Sequence, residues 1–127
     1  MNVVDSSGWL EYFADAPNAD FFAPAIEETD ALIVPAISIY EVFKRVMMQR
    51  DEDDALKATA HMQQGRVVPL DASLAIQAAK LSLQHKIPMA DSIILATARQ
   101  FDATLWTQDA DFKALDGVQY KEKPRPS

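Results

Sequence analysis

Cysteine is absent from this sequence of 127 residues, which excludes disulfide bonds and thiolate metal sites. Only three glycines occur, so a low-complexity or loop-dominated protein is not expected. No apolar run approaches the roughly 18 residues of a membrane span, and the first residues resemble a strand, not an export signal. We therefore expect an unprocessed, soluble, cytoplasmic protein with no membrane partner.

Cationic residues are also scarce, since 12 Lys and Arg stand against 19 Asp and Glu, for a net charge of −7. General affinity for nucleic acid comes mainly from Lys and Arg that neutralise phosphates, so this balance argues against a general nucleic-acid binder. Acids that cluster around a divalent ion are an exception, because the ion inverts the local potential that formal charge suggests. Even then, the remaining acids predict weak affinity for nucleic acid in the isolated protein.

Short apolar segments alternate with helical periodicity along the chain. Strands are predicted at residues 2–5, 31–34, 67–70, 104–107 and 118–120. Helices are predicted at residues 8–14, 18–28, 37–50, 53–64, 71–85, 89–101 and 110–115. This alternation implies a parallel sheet covered on both faces. We expect an α/β fold over residues 1–120 as a single domain, followed by a flexible basic tail at residues 121–127.

Several local features refine these elements. Ser6 and Ser7 are available to cap the first helix, and Gly65 is predicted to end the fourth helix at its C′ position. Pro88 is predicted at the first position of the helix that carries Asp91. A buried apolar stripe is expected on the helix at residues 37–50. The stripe consists of Tyr40, Phe43, Val46 and Met47, and Met48 is also expected in the core.

Four carboxylates stand where a parallel sheet would gather them at one edge. Asp5 follows the first strand and Asp109 follows the strand at residues 104–107, and open α/β sheets bind ligands beyond the carboxyl ends of their strands. Asp91 is predicted near N4 of an almost wholly apolar helix, where an unpaired charge would cost several kcal/mol. Glu41 lies within a helix among apolar neighbours, and Asp111 follows Asp109 closely.

Each acid also has a structural interpretation that the residues alone leave open. Asp5 and Asp109 could cap helices, Asp111 could complement a helix dipole, and Glu41 could pair with Arg45 one turn later. Together, however, the acids favour a site for Mg²⁺ or Mn²⁺, which prefer carboxylate ligands and assist phosphodiester hydrolysis. The two histidines, His61 and His85, are expected on the surface and not as ligands.

Residues 3–7, 39–42, 90–98 and 107–112 resemble, in order and spacing, the motifs of the PIN-domain ribonucleases, and most of all the VapC-type toxins of toxin–antitoxin pairs. The resemblance covers about residues 2–120. It implies a three-layer α/β/α sandwich with a short, mostly parallel sheet, a Mg²⁺- or Mn²⁺-dependent endoribonuclease acting on RNA, a homodimer, and inhibition by a cognate antitoxin. The catalytic and metal-binding residues that it implies are Asp5, Glu41, Asp91 and Asp109.

The resemblance also assigns residues around this acidic quartet. Asp111 would be an additional metal ligand, and Thr107 would be a polar neighbour of the acids. The path of the RNA is not specified by the motifs. Lys44, Arg45 and Arg99 are the candidates for contacts with its phosphates.

Two functions of other classes compete with this interpretation. A receiver-like phosphoacceptor domain would have this length and fold, with Asp71 as the acceptor. It would require an acid pair after the first strand and a lysine after a late strand, whereas Ser6 follows Asp5 and the late strand ends in Thr107. A non-catalytic module could hold a partner peptide in the same crevice. The complete quartet argues against it, although fold alone does not settle function.

Overall fold

The computed structural model describes residues 1–124, in which strands and helices alternate along the chain. The strands are β1 (Asn2–Val4), β2 (Leu32–Pro35), β3 (Arg66–Val68), β4 (Thr104–Thr107) and β5 (Val118–Tyr120). The helices are α1 (Ser6–Phe13), α2 (Ala19–Glu27), α3 (Ala36–Gln49), α4 (Glu52–Met62), α5 (Ala72–His85) and α6 (Met89–Gln100). Two 3₁₀ turns, Thr29–Ala31 and Ala110–Phe112, complete the described elements, and the second replaces the helix predicted at residues 110–115.

The strands form one parallel sheet in the order β3-β2-β1-β4-β5. Side chains alternate across it and build a core on each face. On one face Val3, Ile33 and Leu105 pack with residues of α5 and α6. On the other face Val4 and Val34 pack with residues of α1, α2 and α4. The predicted α/β fold with helices on both faces of a parallel sheet is confirmed.

The order of the strands determines where the acids meet. β1 lies between β2 and β4, and Val4 is in register with Trp106. The amide of Asp5 donates to the carbonyl of Trp106 at 3.1 Å, so the two chains leave the sheet side by side. The segments that carry Asp5 and Asp109 therefore emerge at the same carboxyl edge.

Helix ends differ from the prediction at three positions. Asp5, and neither of the two serines, caps α1, because its Oδ1 accepts from the amide of Gly8 at 2.8 Å. Pro88 is the N-cap of α6 in an extended conformation, which moves Asp91 from the predicted N4 position to N3. Gly65 does not have the positive φ of a C′ glycine. It is needed for close packing, since a Cβ there would lie 3.0 Å from Leu32.

The stripe predicted on α3 is buried only in part, because Val46 packs against the core and Phe43 is half-buried, while its other members are exposed. Tyr40, Met47 and Met48 are 60%, 49% and 73% exposed, whereas Ser38 and Val42 are buried. The physical reason is that α3 is rotated about its axis relative to the orientation that the stripe predicts. α3 carries two neighbouring rows with apolar residues, and packing against the core selects the row of Ser38, Val42 and Val46. The other row faces outward.

Two further expectations concern the outside of the protein. Among the described residues, no helix combines the length and the apolar character that crossing a bilayer requires. The basic tail was predicted at residues 121–127, of which residues 125–127 lie outside the described part.

Candidate metal centre

Asp5 is almost fully buried at the end of β1, with 3% of its surface exposed. Its Oδ1 accepts from the Gly8 amide at 2.8 Å and from the Ser7 hydroxyl at 3.1 Å, and its Oδ2 accepts from the Thr107 hydroxyl at 2.5 Å. Burial raises the pKa of Asp5 to about 6, opposed by the hydrogen bond from Thr107 and those from Gly8 and Ser7, and aided by the charge of Asp109. Asp5 is thus both a helix cap and a buried carboxylate at the sheet edge whose ionised form is disfavoured.

Thr107 links Asp5 to Asp109. The hydroxyl of Thr107 is fully buried and donates to Asp5, while its oxygen accepts from the amide of Asp109 at 2.9 Å. The side chain of Asp109 in turn accepts from the amide of Asp111 at 2.9 Å and caps the 3₁₀ turn. The predicted capping role of Asp109 is therefore real. This cap fixes the loop that carries Asp109 and Asp111.

Asp91, Asp109 and Asp111 form the tightest group of acids. One carboxylate oxygen from each lies within 4.8 Å of the other two. Ligands on opposite sides of Mg²⁺ stand about 4 Å apart, so these oxygens could hold such an ion after a small contraction. Burial raises the pKa of Asp91 to about 7, with further contributions from the charges of Asp109, Asp5, Glu41 and Asp111. All five acids are therefore near one another.

Glu41 joins this group from α3. The hydroxyl of Ser6 donates to its Oε1 at 2.6 Å. The alternative pair with Arg45 is wrong, because within residues 1–124 the only salt bridge joins Arg50 and Asp54. Glu41 lines the same cleft as Asp5, Asp91 and Asp109. The structure thus gathers the four acids of the predicted quartet, which come from four separate segments of the chain.

The cleft that holds these acids has a volume of about 510 Å³. Lys44 and Arg45 line it, as expected for side chains that would meet a phosphate near the acids. Arg99 does not, since it lies in the last turn of α6 and lines a different cavity together with Asp102 and Asp116. Asp91 is in the first turn of the same helix, so Arg99 is at the far end from the acids. Arg99 therefore lies outside the candidate site.

The histidines lie away from the acids, although neither is simply a surface residue as predicted. His61 is half-buried, and its ring contacts those of Trp9, Tyr12 and Phe13. His85 has a buried Nε2 with no hydrogen-bond partner among the described residues. Neither side chain lines the acid cleft.

A buried polar network lies behind the acids and was not predicted from the sequence. Glu11 is 8% exposed and accepts from the amide of Asn18 at 3.0 Å and from the side-chain amide of Gln108 at 3.3 Å. Asn18 also donates to the Gln108 side chain at 3.1 Å and to the carbonyl of Glu122 at 3.2 Å. Gln108 lies between Thr107 and the acid that follows, so the network anchors that loop. No sequence pattern connects residues so far apart. The one available signal was the polar residue Gln108 between two candidate site residues, Thr107 and Asp109.

The raised pKa values make metal binding dependent on pH. A carboxylate must lose its proton before it binds a metal ion, and Asp91 and Asp5 do so only at about pH 7 and about pH 6. We expect the affinity for Mn²⁺ to fall by about tenfold or more between pH 8 and pH 6. Calorimetric titrations at pH 6, 7 and 8 measure this. Equal affinities across the range would contradict the participation of these acids.

The same shifts determine the sign of the stability change in the metal-free protein. Between the ordinary pKa of 3.8 and about 7, the folded state binds more protons at Asp91 than the unfolded state. The contribution of this acid to stability is therefore greatest below pH 3.8 and is lost as the pH rises through about 7. Metal binding opposes that loss at high pH, so the stabilisation by metal should be largest there.

Comparison with known proteins indicates the family of this fold. The family model of the PIN domain matches residues 3–118. A toxin–antitoxin complex from Klebsiella pneumoniae contains a chain that is 21% identical, with a TM-score of 0.77 over 94% of this chain and 96% of that chain. VapC20 of Mycobacterium tuberculosis, described as a sarcin-ricin loop cleaving toxin, is 18% identical, with a TM-score of 0.76 over 91% and 95% of the two chains. FitAcB from Neisseria gonorrhoeae is 25% identical, with a TM-score of 0.65 over 94% and 96%. No curated protein matches the chain by sequence.

Proposed function

Because this chain belongs to the PIN domain family, we propose that it is a metal-dependent endoribonuclease and the toxin of a type II toxin–antitoxin pair. The observation that carries the proposal is that carboxylate oxygens of Asp91, Asp109 and Asp111 lie within 4.8 Å of one another. Asp5 and Glu41 line the same cleft as Asp91 and Asp109. Structures of similar fold include a toxin–antitoxin complex and a toxin that cleaves the sarcin-ricin loop. These likenesses support RNA as the substrate.

The acids would hold Mg²⁺ or Mn²⁺, whose preferred ligands are carboxylate oxygens. When bound, such an ion supplies charge stabilisation to the phosphate and lowers the pKa of an attacking water. The chain fixes the carboxylates in advance. Thr107 holds Asp5 and the loop of Asp109, and Ser6 holds Glu41. Prior orientation of this kind lowers the cost of reaching the transition state.

The receiver-like alternative is not favoured by the site. Asp71, its phosphoacceptor, caps α5 by accepting from the amide of Leu74 at 2.8 Å. It does not line the acid cleft. A non-catalytic module on the same fold would leave the acids without a chemical role. A cleavage assay with and without metal distinguishes it from a nuclease.

Metal removal tests the proposed activity. The purified protein should cleave single-stranded RNA in Mg²⁺ or Mn²⁺, lose that activity in EDTA, and regain it when metal is added in excess of the chelator. Lys57→Gln, at an exposed position of α4 outside the cleft, is the matched control and should behave like wild type. Cleavage that persists in EDTA would contradict a metal-dependent mechanism. No cleavage of any RNA in metal would favour the binding module.

The toxin role implies a partner that blocks the acids. A basic side chain from an antitoxin, inserted among the carboxylates, would gain charge-assisted hydrogen bonds. We expect the product of a neighbouring gene to bind this protein and abolish cleavage, and to bind the variant with Asn or Gln at all four quartet positions at least about tenfold more weakly. Calorimetry measures both affinities. Equal affinities would show that the partner's contacts lie away from the acids.

A homodimer also belongs to this proposal. Exposed apolar side chains lie on and beside α5, and large exposed apolar patches mark interaction surfaces. They are Leu70, Ile76, Leu83 and Met89, with exposures of 46%, 58%, 83% and 70%. Light scattering tests the dimer, and Leu83→Glu should shift it towards monomer. A wild type that stays monomeric at high concentration would contradict the homodimer.

A further inference from the structure

The outward row of α3 forms one wall of the acid cleft. Tyr40, Lys44 and Met48 follow one another at intervals of four residues and share a helix face. All three line the cleft beside Glu41, as does Arg45. We call these four residues, Tyr40, Lys44, Arg45 and Met48, the α3 ridge. The ridge places an aromatic ring, two cations and a thioether directly next to the proposed metal ligands.

The aromatic ring and the cations of the α3 ridge are free to meet a ligand. Tyr40 is 60% exposed, so much of its ring is accessible to a ligand. The Nζ of Lys44 lies over one face of that ring, 5.8 Å from its centroid, so a base would stack on the opposite face. Lys44 and Arg45 are exposed, and within residues 1–124 neither takes part in a salt bridge. Lys44 and Arg45 therefore place two positive charges in the cleft, where an anionic ligand at the acids would contact them.

Single-stranded RNA matches this arrangement better than duplex RNA. Proteins bind unpaired nucleotides by stacking bases on aromatic side chains and by tracking the backbone with cations. A base inside a duplex is already stacked on its neighbours, so its faces cannot reach an aromatic side chain. An aromatic ring and a cation within 6 Å of each other would contact a base and its phosphate together. The adjacent acids would then face the next phosphate along the strand.

We propose that Tyr40 stacks an unpaired base next to the scissile phosphate, beside the phosphate contacts already expected of Lys44 and Arg45. This inference rests on the proposed nuclease function. It assigns to Tyr40 a role in substrate selection that is independent of metal binding. Met48 completes the apolar part of the ridge.

Substitution of Tyr40 tests the stacking role. Tyr40→Leu keeps an apolar side chain of moderate size but removes the aromatic face, whereas Tyr40→Phe keeps the face and loses only the hydroxyl. We expect Tyr40→Leu to raise KM for a short single strand by about tenfold, and Tyr40→Phe to stay near wild type. The Kd for Mn²⁺ should be unchanged in both variants, which a general structural defect would not allow. Wild type should also cleave the single strand faster than the same strand annealed to its complement.

The cations are tested through salt dependence. Each phosphate contact to a single strand adds about 0.7 to the slope of log affinity against log salt concentration. Lys44→Gln and Arg45→Gln should each reduce the slope for a labelled single strand by about that amount. Lys57→Gln is the matched control, because Lys57 is an exposed lysine on α4 that does not line the acid cleft. Fluorescence anisotropy, with Ca²⁺ in place of Mg²⁺, measures the affinity of each protein for the labelled strand.

The possible results separate this inference from the function on which it rests. A wild type that binds the single strand through Tyr40 but never cleaves it would overturn the nuclease proposal and support the stacking role. An active wild type whose Tyr40→Leu form has unchanged KM and Kd for RNA would overturn the stacking role alone. Unchanged RNA binding in Tyr40→Leu, together with weaker binding of a partner protein, would also overturn it and would make the α3 ridge a protein-docking surface.

Discussion

Cleavage of RNA should fall by about 10²-fold or more in Asp91→Asn and in Asp5→Asn. Each substitution removes a charge that the proposed metal site needs and changes the side-chain volume very little. Asp5→Asn is especially informative because asparagine is also a good helix cap, so α1 can keep its bond from the Gly8 amide. A loss of activity would then report the missing charge and not a missing cap. Initial rates with a synthetic RNA in saturating Mg²⁺ measure the effect.

Asp102→Asn is the matched control for both variants. Asp102 is exposed, lies at the far end of α6, and has a φ of 50°, a conformation that asparagine tolerates as well as aspartate. It should retain wild-type activity. Circular dichroism should show that all three variants are folded. Undiminished cleavage by both purified site variants would remove the quartet from the mechanism.

The metal-free protein should become more stable when Asp91 is neutralised. Burial and four neighbouring carboxylates raise the pKa of Asp91 to about 7, so its ionised form is disfavoured in the folded state at pH 8. The opposing effect is the helix dipole, since an acid at N3 of α6 contributes about 0.3–1 kcal/mol. We expect repulsion and desolvation to win, with a net gain of about 1–2 kcal/mol for Asp91→Asn at pH 8, after allowance for partial exposure of the carboxylate.

Thermal melts in EDTA measure this gain as a rise in Tm of about 3–6 °C. Saturating Mn²⁺ should then reverse the order of the two proteins, because an ion that binds only the folded wild type stabilises it by about 2.7 kcal/mol at 100 times its Kd. The Asn variant should respond little. A variant that melts below wild type in EDTA, with no response of either protein to metal, would mean that Asp91 has a purely structural role.

Strand positions and the place of the acids could be predicted because each depends on local sequence. The strands at Thr104–Thr107 and Val118–Tyr120 match the predicted limits, since each is a short apolar segment between turn residues. Asp5 and Asp109 follow neighbouring strands directly, so a parallel sheet had to bring them to one edge. Glu41 and Asp91 were selected because they are charges within apolar helices, and the structure places both in the same cleft.

The remaining features depend on tertiary packing that local pattern does not contain. The rotation of α3 that exposes Tyr40 and Met48 is decided by which of two apolar rows packs against the core. The contact between Glu11 and Gln108 joins residues 97 positions apart, and no periodicity connects them. Arg99 was a candidate by charge alone, and its place at the far end of α6 follows from the length of that helix.

Calorimetric titration of Mn²⁺ into the metal-free protein at pH 8 is the most direct test of the central proposal, which is that these acids hold a divalent ion. We predict saturable binding to wild type and to Asp102→Asn, and at least about 100-fold weaker binding to Asp91→Asn, because one of three converging carboxylates is lost. Binding of equal strength to wild type and Asp91→Asn, or no binding to either, would contradict the proposal.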